Sequence, residues 1–312
     1  MIINGYKLKG ELKNANSGFS KWTFAEKDGK DFFIKELINP VYPIDESAMT
    51  AEMFSQGRAF CERYEERMKQ YFERINSVSR GNLIRINHFF RCGSKYYIVT
   101  DRIFNKPLTL KYISSLDVQK KILLIKSVVS CFFDLHSADI IHFDVKPSNL
   151  LIKITKNGNF AAKLIDFDSG FFSGENLQNS EPVGDLTYLA PEVFLNMCGE
   201  NTVLSSKADI FSLGLVIHEF FCGSLPAYDE TAYEYPYEAV LDGGILEPKK
   251  EMMPRIVFEL IVSMLNKNPD VRPTAGEILQ KLNGENTDSG KDSAKPNQQG
   301  QRDNRLRTAG NL

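Results

Sequence analysis

The chain has 312 residues, 42% hydrophobic and 25% charged, the make-up of an ordinary globular protein with more residues than one hydrophobic core usually serves. A net charge of −2 gives no electrostatic basis for gripping nucleic acid or an anionic membrane. Five scattered cysteines (Cys61, Cys92, Cys131, Cys198 and Cys222), an odd count without a CxxC pair, argue against a disulfide framework and for free thiols in a reducing compartment.

The first third of the sequence predicts an antiparallel sheet with one long helix. Short alternating runs at Tyr6 to Leu12, Lys21 to Glu26 and Asp31 to Glu36 are strand patterns, and Asp28-Gly29 is a hairpin signal between the last two. From about Glu46 to Asn76 the apolar residues Met49, Met53, Phe60, Tyr64, Met68, Tyr71 and Ile75 recur at helical steps, so a long amphipathic helix is expected. Strands follow at Leu83 to Phe90 and Tyr96 to Asp101. The pattern then turns helical, with segments at Ser115 to His136, Lys207 to Phe221, Pro254 to Asn266 and Thr274 to Leu282. Between them, Leu150 to Ile154 and Lys163 to Ile165 read as a hairpin around Lys156-Asn157-Gly158-Asn159. The resulting fold class is α+β: a small β-rich lobe over 1–103 and a larger α-rich lobe over 104–283. Residues 284–312 are polar and nearly devoid of apolar side chains, which predicts a disordered tail. The N-terminus lacks a signal-peptide core and the longest apolar runs, such as 211–222, contain Ser, His and Glu, so a cytoplasmic location is expected.

The chemistry concentrates around the second hairpin. His142-Phe143-Asp144-Val145-Lys146-Pro147-Ser148-Asn149 places four polar groups in one short loop after an apolar helix, an H-x-D-x-K-x-x-N pattern expected by chance roughly 0.002 times per chain. Leu164-Ile165-Asp166-Phe167-Asp168 follows the hairpin. With Phe32-Phe33-Ile34-Lys35 on an early strand and Ala190-Pro191-Glu192 downstream, the sequence resembles the eukaryotic-type protein kinase family over about Tyr6 to Leu282. The Lys-Pro-Ser of the loop resembles the Ser/Thr class.

The resemblance implies a role for each matching residue. Asp144 would accept the proton of a substrate hydroxyl, and Lys146 would neutralise charge on the transferring phosphoryl group. Asn149 and Asp166 would hold magnesium, with manganese as a substitute, against ATP. Lys35 would hold the α- and β-phosphates and pair with a glutamate of the long helix; of Glu62, Glu65 and Glu66, Glu65 lies nearest the inward stripe. Thr100 resembles the gatekeeper, and the backbones of Asp101 and Ile103 would hydrogen-bond the adenine edge. Glu192 would pair with Arg272, and Asp209 would hold the backbone of the catalytic loop. These roles imply transfer of the γ-phosphate of Mg-ATP to a Ser or Thr of a protein substrate, with no nucleic acid or membrane partner.

Four positions depart from the family pattern. Asn14-Ala15-Asn16-Ser17-Gly18-Phe19-Ser20 is a glycine-poor phosphate-covering loop, in which Ser17 and Gly18 would face ATP. Asp168 replaces a glycine, removing backbone freedom. Asp185 stands where a threonine is usual, and its carboxylate is expected to compete for Lys146 or crowd Asp144. Phe143 replaces an arginine that would clamp a phosphorylated loop, so little dependence on phosphorylation at Ser169, Ser173, Ser180 or Thr187 is expected. A catalytically weak pseudokinase acting as an interaction scaffold is the alternative.

Overall fold

The computed structural model describes residues 1–14, 20–104, 108–175 and 184–288. The N-terminal lobe is a six-stranded antiparallel sheet of β1 (Ile2–Ile3), β2 (Tyr6–Leu8), β3 (Ser20–Lys27), β4 (Lys30–Leu37), β5 (Ile86–Cys92) and β6 (Lys95–Asp101), in the order β1-β2-β3-β4-β6-β5. Asp28 and Gly29 turn the β3–β4 hairpin with positive φ angles, as the dipeptide predicts. The two faces of the sheet separate by strand parity. Ile34 faces a small outer core with Tyr6, Ala25, Tyr97 and Val99. Lys35, opposite Ile98, therefore faces the interior of the molecule.

The long helix is α1 (Ala51–Val78), started by Thr50, whose hydroxyl accepts from the Met53 amide at 3.2 Å. Its inward stripe buries Cys61, Met68, Tyr71, Phe72 and Ile75. The stretch expected to be helical from Glu46 opens instead with a separate 3-10 turn at Glu46–Ala48. Asp45 caps that turn and Thr50 caps the helix, so two start signals in close succession divide the segment.

The C-terminal lobe is helical: α2 (Leu110–Ser114), α3 (Val118–His136), α4 (Pro191–Met197), α5 (Lys207–Cys222), α6 (Pro236–Leu241), α7 (Arg255–Met264) and α8 (Ala275–Asp288). Helix α5 is its axis, with every residue from Ala208 to Phe221 buried, as expected of a helix apolar all round. The short α2, α4 and α6 are too brief for a hydrophobic period to reveal. Between α3 and α4 lie β7 (Ile140–Ile141), the hairpin β8 (Leu150–Ile154) and β9 (Phe160–Leu164), and β10 (Phe171–Phe172), which pairs with β7. Among the described residues no helix is long and apolar enough to cross a membrane. Helix α8 continues through 284–288, which corrects the expectation of disorder from 284, while residues 289–312 lie outside the described residues. The polar sequence there extends an already packed helix and needs no apolar face of its own for one more turn.

Candidate active site

The loop between β7 and β8 takes its shape from the core beneath it. Asp209, in the first turn of α5 and 1% exposed, accepts hydrogen bonds from the backbone amides of His142 (2.8 Å) and Phe143 (2.9 Å) and meets His136 Nε2 at 2.9 Å. Phe143 sits at φ 73°, a left-handed conformation that costs a non-glycine residue energy and persists only where its surroundings hold it. Asp209 supplies part of that hold, and the Phe143 ring, buried against Phe171 at 5.3 Å, supplies the rest. His142 Nε2 lies 2.8 Å from the Ile165 carbonyl, tying this loop to the strand end that carries Asp166.

Asp144 is oriented by three donors. Its Oδ1 accepts from the Asp185 amide at 3.0 Å, and its Oδ2 meets Lys146 Nζ and Asn149 Nδ2, each at 2.9 Å. Asn149 Nδ2 also donates to the Asp144 carbonyl at 2.8 Å, so the amide nitrogen is committed and the other end of the side chain is an acceptor oxygen. The Asp185 carboxylate does not compete for Lys146. It caps the turn Leu186–Tyr188 by accepting from the Thr187 amide at 3.1 Å, because a side chain at a cap position finds its own turn first.

Across the cleft, Lys35 Nζ reaches Asp166 Oδ1 at 2.5 Å and Asp168 Oδ2 at 2.7 Å. Burial alone would lower the Lys35 ammonium, but Asp168 and Asp166 outweigh it and hold Lys35 above its usual value. Burial likewise opposes ionisation of Asp166, yet the charge of Lys35 keeps its carboxyl below the ordinary range, with smaller contributions from His142 and Lys146. Asp168 is pushed up to about 6, first by burial and then by neighbouring Asp166, against the pull of Lys35. Lys146 thus senses both carboxylates, bonding Asp144 directly and acting on Asp166 through its field. Among the described residues no three His, Cys, Asp or Glu side chains cluster to cage a metal. The donors present, the Asp166 carboxylate and the Asn149 amide oxygen, fit a hard dication whose other ligands are water and phosphate oxygens.

Beside these charges lies a cavity of ≈ 240 Å³ with a largely apolar wall. Lys35, Thr100, Asp101, Ile103, Asp166 and Asp168 all line it. Phe24 and Phe33 roof it at 5.9 Å from each other, and Leu151 and Ile165 form part of its floor. Phe33 stands opposite Thr100 in the β4–β6 register, so strand parity directs both into the cleft. The Asp101 side chain turns to Asn87 at 2.7 Å, leaving its backbone toward the cavity. Ser17 and Gly18 lie outside the described residues.

Glu65 is not the partner of Lys35. Its Oε1 accepts from Arg91 Nε and from Tyr96 Oη, both at 3.0 Å, because a residue one position past Tyr64 leaves the inward stripe and meets the β5–β6 hairpin. Glu62 and Glu66 also point elsewhere, toward Tyr42 (3.5 Å) and Gln70 (2.9 Å). The carboxylate that sequence reasoning missed is Asp168, and the signal was present: an acid at a position where the resemblance calls for glycine. Farther off, Arg272, wholly buried, pairs with Glu192 through two bonds of 2.6 and 2.8 Å.

A family model described as "Protein kinase domain" matches residues 54–282. Among similar curated proteins, myosin light chain kinase A of Dictyostelium discoideum is 28% identical over 65% of this chain and 70% of its own length. Serine/threonine-protein kinase GG21441 of Drosophila erecta is 30% identical over 57% of this chain and 25% of its own. Calcium-dependent protein kinase 27 of Arabidopsis thaliana is 24% identical over 89% of this chain and 54% of its own. With a matched region covering more than half the chain, from within α1 through β5 and β6 to the end of the helical lobe, this chain belongs to the protein kinase domain family.

Proposed function

We propose that the chain is an active protein kinase that transfers the γ-phosphate of ATP to a Ser or Thr hydroxyl of a protein substrate. The observation that carries the reading is that Asp144, bonded to Lys146 and Asn149, is tied to the Asp166 segment by the Ile165 amide on the Asn149 carbonyl at 3.0 Å, while Asp166 and its partner Lys35 line one apolar cavity. The relatives named Ser/Thr kinases and the Lys146-Pro147-Ser148 sequence support the hydroxyl class. The lobes divide at 103/104, and the base lies between the Phe24–Phe33 roof and Leu151.

In this reading Asp144, fixed by the Asp185 amide and Asn149, orients the substrate hydroxyl and takes its proton as oxygen bonds to the γ-phosphorus. The bond from that phosphorus to the β,γ-bridging oxygen breaks, and ADP carries away the electron pair. Lys146 balances charge on the moving phosphoryl group, and Lys35 does so on the phosphates left behind. Asp166 and Asn149 would hold magnesium, whose dication, when bound, neutralises phosphate oxygens. Phe143, buried on Phe171, presents no cation to a phosphorylated loop, which supports activity without loop phosphorylation. Ser180 lies outside the described residues.

The test is transfer of label from γ-labelled ATP to a generic Ser/Thr protein, followed by identification of the labelled amino acid. The native chain should label Ser or Thr, with Asp144→Ala and Asp166→Asn each reducing the rate by about 10²–10⁴-fold. Folded native protein that transfers nothing would overturn the reading in favour of a scaffold, and label on tyrosine would overturn the hydroxyl class.

A further inference from the structure

Lys35 is 8% exposed, and a buried ammonium needs carboxylate partners that remain with it. Helix α1 offers none. Of its five glutamates, Glu52 bonds Gln56, Glu62, Glu65 and Glu66 are turned to Tyr42, Arg91 and Gln70, and Glu73 is exposed on the far side. The positions of α1 that face inward carry Tyr64, Met68, Tyr71 and Phe72. Glu65 lies about 60° around the axis from Met68, so bringing it to Lys35 would unpack the whole stripe. Asp166 is the other partner of Lys35, but in the reading above it is committed to the cation and phosphates.

We propose that Asp168 is the positioning residue of this site: it anchors Lys35 from the segment after β9, making the lysine's orientation independent of α1. The inference rests on the phosphotransfer reading for its consequence and on the 2.7 Å pair for its geometry. A second bond widens the role. The Ser20 side chain, 2% exposed at the first residue of β3, also hydrogen-bonds the Asp168 carboxylate. One side chain thus joins β3, β4 and the Asp166 segment. The departure that a glycine-to-acid change represents is matched within the same chain by the absence of an inward acid on α1, and the two make sense together.

The test compares Asp168→Asn with Glu65→Gln in the full chain. Calorimetric titration with Mg-ATP and steady-state kinetics give Kd, KM and kcat, and thermal melting reports fold. Asp168→Asn should weaken Mg-ATP binding and raise KM for ATP at least tenfold, with kcat reduced less than KM is raised and the melting temperature within a few degrees of native. Glu65→Gln, which keeps acceptors for Arg91 and Tyr96, should change neither Kd nor KM more than twofold. Native-like binding by Asp168→Asn, or a loss in Glu65→Gln equal to it, would overturn the proposal. A native chain that binds Mg-ATP but transfers no label, with Asp168→Asn binding tenfold more weakly, would sink the phosphotransfer reading and leave this assignment standing.

Discussion

Replacing Arg272 by alanine should be among the most damaging single changes in the C-terminal lobe. The guanidinium is fully buried and uses all three nitrogens: Nη1 and Nη2 on Glu192, Nε on the Asn266 carbonyl at 2.8 Å, Nη1 on the Lys207 carbonyl at 2.9 Å and Nη2 on the Lys267 carbonyl at 3.2 Å. It also lies 5.0 Å from the centre of the Phe211 ring. Its removal strands the Glu192 carboxylate, 7% exposed, and takes a donor from the carbonyls of Lys207, Asn266 and Lys267. Breaking such a pair from one side costs about 3–5 kcal/mol. For a chain of this size that is a fall in melting temperature on the order of 10 °C. Removing both charges in Glu192→Leu/Arg272→Met should cost less than Arg272→Ala alone, because the penalty is the orphaned charge rather than the missing attraction. Calorimetry with urea denaturation of native protein, Arg272→Ala, Glu192→Leu, Arg272→Met and the double variant measures this directly. A drop below about 2 °C for Arg272→Ala, or strict additivity in the double variant, would refute the reasoning.

Three further expectations concern buried polar groups. Tyr71 Oη has no hydrogen-bond partner among the described residues, so Tyr71→Phe should leave stability unchanged or raise it by about 1 kcal/mol, read from the urea midpoint. Gly170 should not accept a side chain: an added Cβ would stand 1.9 Å from Tyr71 Oη and 2.7 Å from the Ile141 carbonyl, so Gly170→Ala should lose about 1–3 kcal/mol and Tyr71→Phe should restore only part of it. His218 is buried and neutral, with Nδ1 at 2.8 Å from the Ser224 carbonyl and Nε2 accepting from the Lys249 amide at 3.2 Å. Burial lowers its pKa below 6.5, with the charge of Lys249 acting the same way, so its contribution is in place above 6.5 and lost as pH falls through the lowered folded-state value. Melting temperature measured from pH 7.5 to 5 should therefore fall more steeply in the native chain than in His218→Gln.

What the sequence revealed depended on whether local rules govern each feature. Strands β3, β4 and β6 and helices α3 and α7 are legible because a single period runs through each of them, and α5 because its apolar run is too long for a strand. Strand β1 and helices α2, α4 and α6 were not, being held by packing and caps over too few residues for a period to show. The proposed site residues Asp144, Asn149 and Asp166 stand out because the chain itself brackets one hairpin with them. Glu65 leaves the inward stripe because one residue along a helix rotates a side chain by about 100°, finer than an approximate apolar pattern resolves. Asp185 does stand beside Asp144, but its sequence position does not show that its own turn claims the carboxylate.

The contact between Phe143 and Phe171 has a consequence for control. Two aromatic rings pressed together carry no charge to add, remove or shield, so one part of the hold on the loop bearing Asp144 is oily packing, beside the part that the buried Asp209 carboxylate supplies. Cooling weakens such a contact, since hydrophobic attraction fades at low temperature, whereas a salt-bridged loop would loosen in brine instead. The aromatic part of the hold should answer to the thermometer, and the Asp209 part, 1% exposed, is kept from salt by its burial.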